Sequence, residues 1–137
     1  MKLFSFQSYL NKEGIDLAFL VHPDPNIIYF AQMKPSFALL LITPSSAELY
    51  LSKLDLPPKL SGIAVTHLQK DWESKLADQK VKKIGVCKSS LSLQYAEKLK
   101  KLYPRAELID VSSTLQDLRA QKTPQEILKI SKACSIT

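Results

Sequence analysis

The segment KIGVCKSSLSLQYAEKLKKLYPRAELIDVSS, residues 83–113, decides the fold class. Two short apolar runs, Lys83–Cys87 and Glu107–Val111, have the length and composition of buried strands. Between them, Leu93–Tyr103 carries an apolar stripe at helical spacing with lysines on its other side, and Pro104 ends it. Strand, helix and strand joined by short connections predict an α/β domain with a mostly parallel sheet.

Serines before each helix of this half supply N-caps. They are Ser89, Ser90 or Ser92 for the first helix, and Ser112 or Ser113 for a second helix over Thr114–Arg119.

The first half predicts a hairpin and further elements around it. Phe37–Thr43 and Ala47–Ser52 are two strands separated by a turn, and the alternating polarity of the second predicts an edge or half-exposed position. Leu17–Val21 is continuously apolar, as expected of a strand covered on both faces. The remaining elements predicted here are helices at Phe4–Gly14 and Asp71–Ala77 and a short strand at Gly62–Thr66. The hairpin is therefore expected as an antiparallel addition to the parallel sheet.

Asn26–Ala31 is either a short helix or a second extended piece. The helix is favoured, because Asp24 can cap it while Pro25 takes the first helical position, where its missing N–H costs nothing.

The end of the chain contains the clearest helix start. Thr123 serves as N-cap, Pro124 as the first residue and Glu126 as the reciprocal partner of a capping box. The helix has Ile127, Ile130 and Cys134 at helical spacing on one face, but the sequence ends at Thr137 without a glycine or a closing turn, next to the apolar Ile136. We therefore expect the chain to continue into a further domain.

Composition limits the classes of function. The formal charge is +6, but the lysines are dispersed and not interleaved with aromatic residues, so nucleic acid is not an expected partner. The longest apolar run is strand-sized, so no membrane partner is expected. The N-terminus lacks the features of a signal peptide, and a cytoplasmic location is expected.

The sequence contains few residues in patterns that are typical of a catalytic, phosphate-binding or metal-binding site. The three glycines are far apart, which excludes a dinucleotide or phosphate-binding loop. Cys87 and Cys134 have the context of buried thiols, and His22 and His67 lie at strand ends without metal-ligand spacing. Asp110 is expected in a capping or loop role. These residues favour a binding, positioning or oligomerisation module, and we expect no catalytic or metal residue in this chain.

Four stretches, in order, resemble the N-terminal domain of the creatinase/prolidase family. They are Ile15–Val21, Pro25–Phe30 with its Pro-Asn-Ile-Ile-Tyr sequence, Lys83–Val86 with Ile-Gly-Val, and Leu118–Ile127, which runs on to Ala133. The last stretch is the most specific, and together they span nearly the whole chain.

The resemblance implies a three-layer, mixed but mostly parallel sheet flanked by helices, of ribonuclease-H-like type. It implies a domain at 1–122 and a linker helix at 123–137 that leads into a "pita-bread" catalytic domain. In the family, that domain carries two Asp, one His and two Glu, which hold two divalent metal ions (Mn, Co or Zn) for cleavage of Xaa-Pro bonds. The implied partners are this catalytic domain, a second copy in a homodimer, and a proline-containing peptide.

The resemblance also implies a substrate rim in the segment after Tyr29. Its candidate residues are Tyr29, Gln32, Met33 and Lys34, and Gln32 replaces the family's glycine. The alternative is that Tyr29 and Phe30 are core aromatics. For the chain as a whole, the alternatives are a self-contained interaction module or the same domain from a creatinase-like protein that is not a peptidase.

Overall fold

The computed structural model describes residues 2–78 and 80–120, which form one sheet with helices on both faces. The strands are β1 (Leu17–Val21), β2 (Ala38–Ile42), β3 (Ala47–Leu51), β4 (Ala64–His67), β5 (Lys83–Val86) and β6 (Glu107–Asp110). The helices are α1 (Lys2–Glu13), α2 (Pro25–Ala31), α3 (Trp72–Leu76), α4 (Leu93–Leu102) and α5 (Ser112–Ala120).

The sheet has the strand order β4-β3-β2-β1-β5-β6. β2 runs antiparallel to its neighbours β1 and β3, and the other three pairings are parallel. This confirms the mostly parallel sheet with an antiparallel hairpin. β3 is half-exposed, as its alternating pattern predicted, but it is not an edge strand, because β4 pairs beside it in parallel.

The helices form two outer layers, which confirms the three-layer arrangement. One apolar core joins α1, α2 and α5 to one face of the sheet, and it includes Phe6, Phe30 and Leu115. A second core joins α3 and α4 to the other face, and it includes Phe19 and Leu99. β1 lies between the two cores, so all five of its residues are buried. Its continuous apolar sequence follows from this position.

Gly85 allows α5 to approach the centre of the sheet. A Cβ atom at this position would lie 2.9 Å from the Cγ1 of Val111, which is fully buried just before α5. The glycine in the Ile-Gly-Val stretch of β5 is therefore required by packing.

The helix starts follow the predicted capping with one difference. α2 is a helix, and Asp24 caps it by accepting a hydrogen bond from the Asn26 N–H. Ser92 caps α4 in the same way through the Tyr95 N–H. α5 begins at Ser112, two residues earlier than predicted.

The predicted linker helix and its cap lie outside the described residues, as does Cys134. Within the part of the chain that the structure describes, no helix is both long enough and apolar enough to cross a membrane.

Candidate functional site

The predicted rim follows the last turn of α2, near the sheet edge where β1, β3 and β5 end at their carboxyl ends. We call this the carboxyl edge. The segment 32–37 returns the chain to β2, whose first residue, Ala38, accepts a hydrogen bond from the His22 N–H just after β1. In α/β sheets, loops at the carboxyl ends of the strands commonly carry binding sites.

The four predicted rim residues lie together but differ in exposure. Gln32 and Lys34 are exposed, while Tyr29 and Met33 are half-buried and pack against the core of α1, α2 and α5. Tyr29 also packs edge-to-face against Phe30, with ring centroids 5.3 Å apart. Phe30 itself is a buried core aromatic, so the core interpretation holds for that residue.

Gln32 has a left-handed backbone, with φ of 57°. Its N–H donates to the Ile28 carbonyl at 2.9 Å and closes α2. Glycine adopts this conformation without the steric cost that other residues carry. The turn expected for the family's glycine is therefore present here, built by glutamine.

The rim segment is held by a second loop, residues 52–60, through Asp55. The Asp55 carboxylate accepts hydrogen bonds from the Ser36 N–H at 2.9 Å and from the Ser36 hydroxyl at 3.0 Å. The Asp55 carbonyl lies 3.0 Å from His67 Nε2 at the end of β4. Asp55 thus joins the two loops into one rim and connects them to the sheet.

The second loop presents two leucines to solvent that sequence reasoning did not identify. Leu54 and Leu56, on either side of Asp55, are 87% and 88% exposed. Adjacent exposed apolar residues on a fixed loop are typical of a contact surface. The available signal was the sequence Leu-Asp-Leu-Pro-Pro, in which apolar residues occur in a connection too rich in proline for a regular element.

Behind the rim, a buried polar cluster connects the start of α2 to the end of β5. Asp24 Oδ1 accepts from the backbone N–H and the side-chain amide of Asn26, both at 2.8 Å. The same amide lies 3.2 Å from Cys87 Sγ. Burial, with the nearby Asp24 charge, raises the pKa of the Cys87 thiol to about 12. Cys87 is thus a buried thiol, as predicted, and its raised pKa keeps it in the protonated form.

The side chains of this polar cluster leave no cavity between them that could hold a ligand. One acceptor, Asn26 Oδ1, has no hydrogen-bond partner in the described part of the chain. The neighbouring space beside Cys87 and Leu91 is too narrow for a water molecule. The cluster therefore fixes the position of α2 and offers no space for a ligand.

Asp110 has the capping and loop role that was predicted. Its carboxylate accepts from the Ser112 hydroxyl and N–H and from the Lys88 N–H. The side-chain hydrogen bond from Ser112 is the main cause that lowers the pKa of this carboxyl. Asp110 therefore connects the start of α5 to the loop after β5.

The two histidines are part of the packing. The ring of His22 lies 6.1 Å from that of Phe37, and His67 contacts the Asp55 carbonyl. Over residues 2–78 and 80–120, no group of three His, Cys, Asp or Glu side chains is placed to hold a metal ion.

Comparison with known proteins agrees with this fold. The family model described as "Creatinase/Prolidase N-terminal domain" matches residues 2–121. A curated relative, an Xaa-Pro dipeptidase from Pyrococcus horikoshii, is 34% identical over 131 residues, which are 93% of this chain and 37% of the relative.

Solved structures give the same result. The crystal structure of the prolidase from Pyrococcus horikoshii matches 98% of this chain and 39% of its own, with 29% identity and a TM-score of 0.81. The Pyrococcus furiosus prolidase matches 95% and 39%, with 24% identity and a TM-score of 0.73. An N-terminal domain of an X-Pro dipeptidase from Streptococcus pyogenes, 17% identical with a TM-score of 0.69, matches 85% of this chain and 97% of its own. The chain thus spans a little over a third of the length of the Pyrococcus proteins.

Proposed function

Because the chain belongs to the creatinase/prolidase N-terminal domain family, we propose that it serves a metal-dependent Xaa-Pro peptidase as its non-catalytic N-terminal domain. The parent enzyme would be a dipeptidase or an aminopeptidase. The observation that carries this proposal is the match to the Pyrococcus horikoshii prolidase, which covers 98% of this chain but 39% of that protein. The rest of such a protein has the length of a further large domain.

The proposal divides the work between two domains. Residues 1–122 would be the accessory domain, and 123–137 would be the linker that leads into the catalytic domain. That following domain would hold two divalent ions, Mn, Co or Zn, which activate water for attack on the peptide bond. The accessory domain would position the catalytic domain, support a homodimer and act in the cytoplasm.

The rim would cover part of the active site and contact the proline-containing peptide. Asp55 holds the rim segment through Ser36, so little entropy is lost when the rim meets its target. Leu54 and Leu56 would contribute apolar contact area, and Met33 in the rim segment would provide an adaptable apolar side chain.

A peptidase assay tests the division of labour. The chain alone, supplied with Mn²⁺ or Co²⁺ and an Xaa-Pro dipeptide, is expected to show no hydrolysis. The coding sequence after codon 137 is expected to supply two Asp, one His and two Glu in family order. Hydrolysis by the chain alone, or a stop at codon 138, would overturn the proposal.

Kinetics of the whole enzyme test the rim. The double variant Leu54→Ser with Leu56→Ser is expected to raise KM for an Xaa-Pro peptide about 3- to 10-fold, because contacts worth about 1 kcal/mol are lost. Leu93→Ser is the matched control, since Leu93 on α4 is 83% exposed and lies outside both loops. Equal KM values for the two variants would contradict the proposed place of the rim at the active site.

A self-contained interaction module is the second candidate. The Streptococcus pyogenes domain, solved apart from the rest of its dipeptidase, indicates that a domain with this fold can fold on its own. A creatinase-like parent that is not a peptidase differs from the first proposal only in the catalytic half. Assay of the whole protein with Xaa-Pro peptides and with creatine-type substrates separates these two parents.

A further inference from the structure

A groove of about 410 Å³ lies at the opposite edge of the sheet, where β1 begins and β2 ends. We call it the amino-edge groove. It is lined by acidic and by apolar side chains, with Tyr103 among them. The volume is in the range of sites for small ligands. The rim of the proposed peptidase site is at the other edge, so that site does not account for this groove.

The groove is acidic on a protein whose formal charge is +6. Three carboxylates, those of Asp16, Glu48 and Asp78, line it against one lysine, Lys80. In the part of the chain that the structure describes, none of the three carboxylates belongs to an ion pair. The local charge therefore attracts a cation against the overall sign of the protein.

Two of the three carboxylates, those of Asp16 and Asp78, are held in place by hydrogen bonds from backbone N–H groups. Asp16 Oδ2 accepts from the Lys82 and Lys83 N–H groups at 2.8 and 3.1 Å. Asp78 Oδ1 accepts from the Lys80 N–H at 2.8 Å. In both residues the second carboxylate oxygen makes no hydrogen bond to the described residues and remains available to a ligand.

Tyr103 provides a second, independent observation. It is 2% exposed and lines the groove, yet its hydroxyl has no hydrogen-bond partner among residues 2–78 and 80–120. Burial is the main cause that raises the pKa of Tyr103 to about 12, so the hydroxyl stays neutral at physiological pH. Asp78, which lines the same groove, contributes through its charge to the raised pKa of Tyr103. The hydroxyl oxygen itself is not fully enclosed, so water in the groove reaches it and a ligand in the groove can take the place of that water.

The described residues contain no group of three potential metal ligands close enough to hold a metal ion. The groove instead combines separated carboxylates with an apolar wall of Leu17, Leu41, Leu76 and Val81. An ammonium group has three donors and no acceptor, which suits carboxylate and hydroxyl oxygens, and an alkyl stem suits the apolar wall.

We propose that the amino-edge groove binds an organic ammonium ion on an apolar stem, with Asp78, Asp16 and the Tyr103 hydroxyl as its polar contacts. The ion comes either from a free alkylamine or from a lysine side chain of a peptide. In both cases the chemistry recognised is the same.

Titration of the full chain, followed by NMR of the leucine and valine methyl groups, tests this proposal. The probes are 1,5-diaminopentane for a free amine and Nα-acetyl-lysine methylamide for a peptide side chain, with 1-pentanol as the uncharged control. We expect saturable shifts at Leu41, Leu76 and Val81 with at least one amine. Binding should weaken as salt is raised, because the attraction is partly exposed to solvent. The preferred amine identifies the source of the ion.

Variants provide the decisive comparison. Asp78→Asn keeps the acceptor for the Lys80 N–H and removes the charge, and it is expected to weaken binding about 10-fold. Tyr103→Phe is expected to weaken it about 3- to 5-fold. Asp117→Asn, an exposed acid on α5, is the matched control and should bind as the unchanged protein does.

Three results would overturn the proposal. They are equal shifts with 1-pentanol, equal loss of binding in Asp78→Asn and Asp117→Asn, and the absence of saturable shifts with either amine. None of them depends on the peptidase proposal, because no catalytic domain enters the experiment.

Discussion

At the carboxyl edge of the sheet, Asp24 and Asp110 accept hydrogen bonds from neighbouring backbone and side-chain groups. At the amino edge, Asp16, Glu48 and Asp78 line an open groove without an ion pair among the described residues. The same side-chain chemistry therefore serves two purposes. At the carboxyl edge, where the carboxylates bind helix starts and buried amides, removing them should lower the free energy of unfolding. At the amino edge, where they face a groove, removing them should lower the affinity for a ligand.

The largest expected effect is at Asp24. Asp24→Ala removes the α2 cap and leaves the buried Asn26 amide without its carboxylate, so unfolding free energy should fall by about 2–4 kcal/mol. Asp71→Ala is the matched control, because Asp71 occupies the cap position of α3 but makes no side-chain cap bond. Urea unfolding measures both, and equal losses would show that the cluster behind the rim is not a stabilising unit.

The next effect concerns the backbone of the rim. Gln32→Gly removes the steric cost of the left-handed conformation at φ 57°. Glycine also increases the entropy of the unfolded chain, which offsets part of this gain, so the unfolding free energy should rise by about 0.5 kcal/mol. Gly14→Ala is the opposite test, since Gly14 has φ +67° and open space around its Cα. It should lower the unfolding free energy by about 1 kcal/mol. If thermal unfolding shows both variants destabilised, contacts of the Gln32 side chain outweigh the backbone cost.

A smaller effect, dependent on pH, is expected at Asp110. Its pKa is lowered in the folded protein, so its contribution to stability is present above the usual carboxyl pKa of about 4 and is lost as pH falls through the lowered value. Asp110→Asn should therefore be less stable than the unchanged protein at neutral pH, by less than about 1 kcal/mol because the group is exposed, and the two should converge in acid. Unfolding curves across this range check the sign, and a gap that stays constant with pH would contradict it.

The smallest expected effect is at the amino edge. Tyr103→Phe should change the unfolding free energy by less than about 0.5 kcal/mol, because its hydroxyl has no partner to lose among the described residues. Tyr50→Phe is the comparison, since the Tyr50 hydroxyl donates to Glu48. A loss above about 1 kcal/mol for Tyr103→Phe in urea unfolding would place this hydroxyl in the fold rather than in a binding site.

Local sequence signals predicted most of the fold. Pro25 after Asp24 predicted the α2 cap, and the continuous apolar sequence of β1 predicted its central place. The pairing of β4 with β3 could not be predicted from the sequence, because strand pairing depends on tertiary packing. The alternating pattern of β3 is compatible with an edge strand and with an inner strand covered on one face.

The sites were less predictable. The family resemblance pointed to Tyr29, Gln32, Met33 and Lys34, which do lie together, and their role stays a prediction. Leu54 and Leu56 were missed because exposed leucines have no periodic signal. The amino-edge groove could not be found from the sequence, since Asp16, Asp78 and Tyr103 come from distant segments that only the folded chain brings together.

The single tryptophan of the chain lies in α3, so this helix can be followed by tryptophan fluorescence. Trp72 begins this helix, which has no fully buried residue, and Lys98 Nζ lies 5.6 Å from the centre of its ring. Leu76, at the other end of the same helix, lines the amino-edge groove. Tryptophan emission therefore reports the docking of α3 on α4 and the state of the groove beside it, without an added label. The sheet contributes no tryptophan signal, so its unfolding is read separately by circular dichroism.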